Sequence, residues 1–406
     1  MMLRPSCLVL VVAAAVTIAV GPARGQDGTS IEAIESPPGD HWVWVTDFIF
    51  RHSVLFDGDD GRVLGMIDTA VQLAAKPPYV SRERGEVYTV DSVWSRGYRG
   101  ERTDVVTVWD AARLEVVGEV VIPPRAADTG LTIALAAVLD GGRFLVVFNQ
   151  TPSSSVSVVD LESRSFAGEI ETAGCAGVYA TGPQSFTMLC GDGSALLVTL
   201  DDAGREVSTT QSESFFEPID DPLDSAGVRR GDRWLFVSYD GYVHEVDFSG
   251  EKPRLDERWS MFTDAERDAA WRVGGFQQLA LHDADGRLFA VVHQGGRGTH
   301  KDPGPELWVY GLETRARSAV FDAPNLLPAF LRPHLGFEAD SFAYWLLGLI
   351  LPSAGIHSVA VTQDDEPLLF VRNGDLGAVG VLDARTGEHL RDLEEAGLGG
   401  RVLTVP

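Results

Sequence analysis

With 406 residues, 45% of them hydrophobic, the chain is long enough for two ordinary domains or one large β architecture, and its composition is that of a folded protein. Its formal net charge of −26 argues against nucleic-acid binding, because phosphates need lysine and arginine. The same charge disfavours anionic lipid surfaces and draws cationic partners or substrates at long range.

Residues 1–25 read as a signal peptide. Arg4 gives a positive start, residues 8–20 form an apolar run too short to span a bilayer, and Ala23-Arg24-Gly25 places small residues where a signal peptidase reads. Cleavage is expected before Gln26, leaving an exported, periplasmic chain with no transmembrane segment. Residues 26–40 are polar, contain Pro37 and Pro38, and read as a mobile N-terminal arm.

From residue 41 to 406 the chain repeats one unit. A β-rich run ends in Asp or Gly, a short turn follows, and a second β-rich run closes a hairpin. The turn anchors are Asp57, Asp110, Asp160, Asp201, Asp247, Gly311 and Asp383. A β unit returning every roughly 40 to 70 residues points to a propeller built of four-stranded blades. The fold class is therefore all-β, a seven-bladed β-propeller. The first hairpin has one strand before it, at 41–45 (HWVWV), and the last is followed by a spare strand at 401–405 (RVLTV). Pairing these two closes the ring and removes an open sheet edge.

The aspartates at the hairpin turns read as turn formers, since Asp bonds its own downstream backbone. The segment 94–102 differs: Arg96, Arg99 and Arg102 lie among Gly97, Gly100, Trp94 and Tyr98. Its simplest reading is a blade loop whose arginines pair with Glu101 and Asp104. Further on, Thr263 to Glu266 (TDAE) is a capping box, which predicts a short helix near 263–271. Residues 325–355 form an apolar insertion, folded on the propeller's own surface or offered to a partner.

The mature chain keeps two cysteines, Cys175 and Cys190, and an exported chain with a lone pair forms one disulfide. There is no nucleophile elbow, no phosphate-cradling glycine loop and no zinc-ligand spacing, so no catalytic, cofactor-binding or metal residue is assigned. His293 and His300 flank a glycine-rich loop, and His244 and His282 lie in strand-like runs. All four read as hydrogen-bonded structural residues.

Five stretches carry a family resemblance: residues 95–110 (SRGYRGERTDVVTVWD), 174–194 (GCAGVYATGPQSFTMLCGDGS), 271–282 (WRVGGFQQLALH), 293–303 (HQGGRGTHKDP) and 361–370 (VTQDDEPLLF). Together they resemble the heavy-subunit family of quinoprotein amine dehydrogenases, the methylamine and aromatic amine dehydrogenases. The resemblance implies the same Cys175–Cys190 bridge. It implies a tryptophan tryptophylquinone cofactor, carried not here but on a small cysteine-rich light subunit, in an assembly of two heavy and two light chains. It also implies oxidation of primary amines to aldehydes, with electrons passed to a small periplasmic blue copper protein or cytochrome. In that family a phenylalanine of an early loop lines the amine channel, and Phe48 or Phe50 in the loop 47–52 (DFIFRH) is the matching candidate. Two rivals stand beside this reading. One is a propeller without a light subunit, serving as a periplasmic binding or scaffold protein. The other is a self-sufficient lactonase-like hydrolase, which needs a metal cluster at the central channel.

Overall fold

The computed structural model describes residues 33–34, 38–47, 51–69, 76–128, 132–326, 354–375, 377–393 and 402–406. Seven β-sheets follow one another along these residues, each antiparallel with a main path of four strands. Blades two, three and four are contiguous. The second, for example, runs Tyr79–Ser81, Glu86–Trp94, Arg102–Asp110 and Val116–Ile122. The first blade takes Trp42–Asp47, His52–Asp57 and Val63–Asp68 from the N-terminal end and Val402–Thr404 from the C-terminal end. There Trp44 pairs with Thr404, Val45 with Leu403 and Thr46 with Val402. The predicted closure is therefore the observed one.

The turn aspartates do what their side chains permit. The Oδ1 of Asp110 accepts the amides of Ala112 and Arg113, and that of Asp160 accepts those of Glu162 and Ser163. Asp201 and Asp383 repeat the pattern with Ala203 and Arg205, and with Arg385 and Thr386. One carboxylate thus satisfies two turn amides that no strand partner reaches.

Blades pack face to face, so their middle strands are buried on both sides and read as nearly continuous hydrophobic runs. Phe144–Asn149 (FLVVFN) is buried throughout. Val43, Val45 and Phe56 of the first blade share a core with Phe370, Val379 and Val381 of the seventh. The outermost strands, such as Val63–Asp68, are largely exposed.

Two expectations need correction. The helix spans only Asp264–Asp268. Its capping box is present, with Thr263 Oγ1 accepting from the Glu266 amide at 3.3 Å and Glu266 Oε2 accepting from the Thr263 amide at 2.8 Å. Trp271, the last residue of the expected span, instead opens the strand Trp271–Val273 that edges the sixth blade. Ala270, at a φ of 59°, breaks the helix. In segment 94–102, Arg102 pairs with Asp104, but Arg96 and Arg99 pair with no carboxylate among the described residues. The expected signal peptide, Phe48, Phe50 and most of the apolar insertion (residues 327–353) lie outside the described residues. Of the predicted arm, Ile34 donates its amide to the Ala112 carbonyl at 2.7 Å. No helix among the described residues is long and apolar enough to cross a membrane.

Candidate functional site

Strand alternation sorts the loops into two ends. One end carries the Asp-anchored turns. The other carries the links between second and third strands and the long links from blade to blade. Segments 95–101, 191–194, 212–227, 238–241, 256–278 and 295–305 all belong to this second end. So does the disulfide: Cys175 starts an inner strand, Cys190 ends the next, and the two are register partners with a Cα–Cα distance of 3.9 Å.

A polar constellation at this end is centred on Asp224, which is buried. Its Oδ2 accepts from Lys301 Nζ at 2.6 Å and from Gln278 Nε2 at 3.0 Å, while its Oδ1 accepts the Ala226 amide at 2.9 Å. Gln278 also donates to the Gly275 and His300 carbonyls at 3.1 and 3.3 Å. The His300 ring stacks on Tyr239 with centroids 3.8 Å apart, and Lys301 lies over Phe276 at 5.4 Å. Burial and the Lys301 ammonium hold the His300 pKa below the ordinary imidazole value. The Phe276 amide donates to the His357 carbonyl at 2.6 Å, joining this cluster to the seventh blade. Sequence reasoning missed Asp224. It stands in a run of other acids (DDPLDSAG) with no pattern to single it out, and only the fold brings Lys301 and Gln278 to it.

The histidines divide. His282 is buried and satisfied, with Nε2 bonding the Asp364 carbonyl at 3.0 Å and Nδ1 accepting from the Asp285 amide at 3.3 Å. His244 is buried too, but its Nε2 has no hydrogen-bond partner among the described residues, and burial, aided by Arg258, pushes its pKa down to about 4. It is thus a neutral core residue. Among the described residues, His293 Nε2 and His300 Nδ1 likewise have no hydrogen-bond partner. Among the described residues no group of three or more His, Cys, Asp or Glu side chains is placed to hold a metal ion.

In the seventh blade Arg372 is fully buried, with Nη1 donating to the Thr46 carbonyl of the first blade at 3.3 Å. Burial pushes its pKa down to about 10 against the pull of buried Asp47.

A family model described as methylamine dehydrogenase heavy chain (MADH) matches residues 40–324. The chain belongs to the methylamine dehydrogenase heavy-chain family. It is 29% identical to the methylamine dehydrogenase heavy chain of Paracoccus versutus over 358 residues, covering 86% of this chain and 75% of that one. It is 27% identical to the heavy chain of Methylobacillus flagellatus over 346 residues, covering 84% and 78%. Among solved structures, the dihydro-heme d1 dehydrogenase NirN superposes with a TM-score of 0.52 at 16% identity, covering 92% of this chain and 77% of that one. A putative 6-phosphogluconolactonase from Bacteroides fragilis gives a TM-score of 0.53 at 10% identity, covering 89% and 97%. These two likenesses concern the fold alone. The match to the heavy-chain family takes in the segments 271–282 and 293–303, which supply Gln278, His300 and Lys301 to the cluster around Asp224.

Proposed function

We propose that this chain is the heavy subunit of a periplasmic amine dehydrogenase whose light subunit carries tryptophan tryptophylquinone. The observation that carries the reading is the family match across residues 40–324. The quinone, on its own subunit, supplies oxidation of a primary amine to an aldehyde and hands electrons to a small copper protein or cytochrome. The role of this chain is to cover the light subunit and shape the path of the amine. Its negative charge raises the local concentration of ammonium substrates. Trp42, Trp44, Trp259 and Trp308 are buried in blade packing, which fits a scaffold and not a cofactor precursor. Mixing the separately purified light subunit with this chain tests the proposal. Amine-dependent reduction of an artificial electron acceptor is expected to rise on mixing, and a light subunit equally active alone would contradict the assigned role.

The second reading, a binding propeller without a light subunit, draws on one observation. A central channel of about 390 Å³ is lined by the inner strand of each of the seven blades and, among the described residues, by no charged side chain. That volume lies within the range of small-molecule sites, roughly 300–1,000 Å³.

A further inference from the structure

The second blade carries a feature its neighbours lack. Its middle strands, Glu86–Trp94 and Arg102–Asp110, are nine residues each, whereas those of the third blade, Phe144–Asn149 and Ser155–Asp160, are six. Three more residues at the ordinary strand rise extend the hairpin by about 10 Å. The register holds to its last pair, Trp94 with Arg102.

The tip beyond that pair is exposed and yet ordered by its own bonds. The Ser95 amide donates to the Glu101 carbonyl at 2.9 Å, that of Arg96 to Arg99 at 3.0 Å, and that of Gly97 to Trp94 at 3.1 Å. Ser95 Oγ accepts the Glu101 amide at 3.0 Å. Gly97 and Gly100 take φ values of 77° and 108°, which favour glycine. The root is fastened by Arg102, whose guanidinium bonds both Asp104 oxygens, Ser92 Oγ and the Ala126 carbonyl. An arm held this way loses little freedom when it binds.

What the arm presents is unusual for this chain. Tyr98 is 82% exposed, with the Arg99 guanidinium 5.5 Å from its ring centre. Among the described residues Arg96 and Arg99 make no ion pair, although acidic residues outnumber Lys and Arg by 59 to 33 in the chain. An exposed tyrosine between two unpaired arginines is the composition of an interface hot spot.

We infer that the arm at residues 94–102 docks an acidic surface of the partner light subunit. The inference rests on the proposed heavy-subunit role. It commits to an acidic contact because two free guanidinium forks seek carboxylates. The arm's reach sets them apart from the acidic body, since screening confines each charge to about 8 Å at physiological salt.

The test uses the natural complex, with this chain tagged and the light subunit co-expressed. The variants are R96E/R99E, R96K/R99K and Y98A, and the readout is light-subunit retention against sodium chloride concentration. R96E/R99E is expected to weaken association roughly tenfold or more and to flatten its salt dependence. R96K/R99K should keep much of the association, and Y98A should weaken it without changing the salt slope. Circular dichroism reports folding, which a change at an exposed tip leaves intact. Unchanged retention and salt slope in R96E/R99E would overturn the inference. So would an intact complex that loses only its turnover with the protein electron acceptor, since the arm would then seat the acceptor. A wild-type chain that retains no light subunit at all would overturn the heavy-subunit reading along with this one.

Discussion

Removing the C-terminal strand should undo the whole ring, and the size of the effect follows from the contacts of three residues. Val402 and Leu403 are buried, and Leu403 packs in the core shared by the first and seventh blades. Burying two such side chains is worth roughly 1.5–3 kcal/mol each. The Gln277 side chain reaches across from the sixth blade, donating Nε2 to the Leu403 carbonyl at 3.1 Å and accepting the Leu403 amide on Oε1 at 3.0 Å. Gln277 is itself buried, so losing the strand leaves both its polar atoms unsatisfied, at roughly 1–3 kcal/mol each. These losses together are comparable to the entire stability of an ordinary domain, about 5–15 kcal/mol. They also uncover the edge of Trp42–Asp47 as a template for aggregation. The perturbation is a chain ending at Gly397, with Leu403→Ala as the milder partner. Leu403→Ala should cost roughly 2–5 kcal/mol and lower Tm by about 4–10 °C in thermal unfolding followed by circular dichroism. The truncated chain should unfold far earlier or aggregate. A truncated chain melting with the full-length protein would refute the closure argument.

Three further outcomes are expected. His41 bridges the turns of the first and seventh blades, with Nδ1 on Asp59 at 2.7 Å and Nε2 on Asp364 at 3.0 Å. Burial disfavours its charge, but the two carboxylates outweigh this and raise its pKa. The stability it adds is full below its unfolded value near 6.5 and is lost as pH climbs through the folded value. The gap between wild type and His41→Ala in urea midpoint should therefore be wide at pH 5.5 and narrow at pH 8.5, and a gap that widens with pH would sink the argument. Lys301→Ala leaves the buried Asp224 carboxylate with only Gln278 and a backbone amide, and should cost roughly 2–3 kcal/mol by urea unfolding. Replacing Cys175 and Cys190 with serine opens a 15-residue loop and should cost about 3 kcal/mol, an effect that reductant reproduces in the wild type but not in the variant.

The propeller was legible because its repeat is written in local chemistry. An Asp that binds its own turn amides marks each of six hairpins wherever it falls, and closure followed from an odd strand at each end. The helix was overdrawn because a capping box sets where a helix begins and says nothing of where it stops. The pairing of Arg96 and Arg99 was misjudged because neighbours in sequence were assumed to be neighbours in space, whereas the long hairpin carries the two beyond reach of Asp104. Asp224 was invisible because its partners, Gln278 and Lys301, arrive from the sixth blade. The fates of His293 and His300 likewise depend on loops that meet only after folding.

The most direct test is the visible absorption of the protein purified from its native cells, before and after adding methylamine. The account predicts a co-purifying small cysteine-rich subunit and a quinone band that the amine bleaches. A single colourless chain, indifferent to amines, would contradict it.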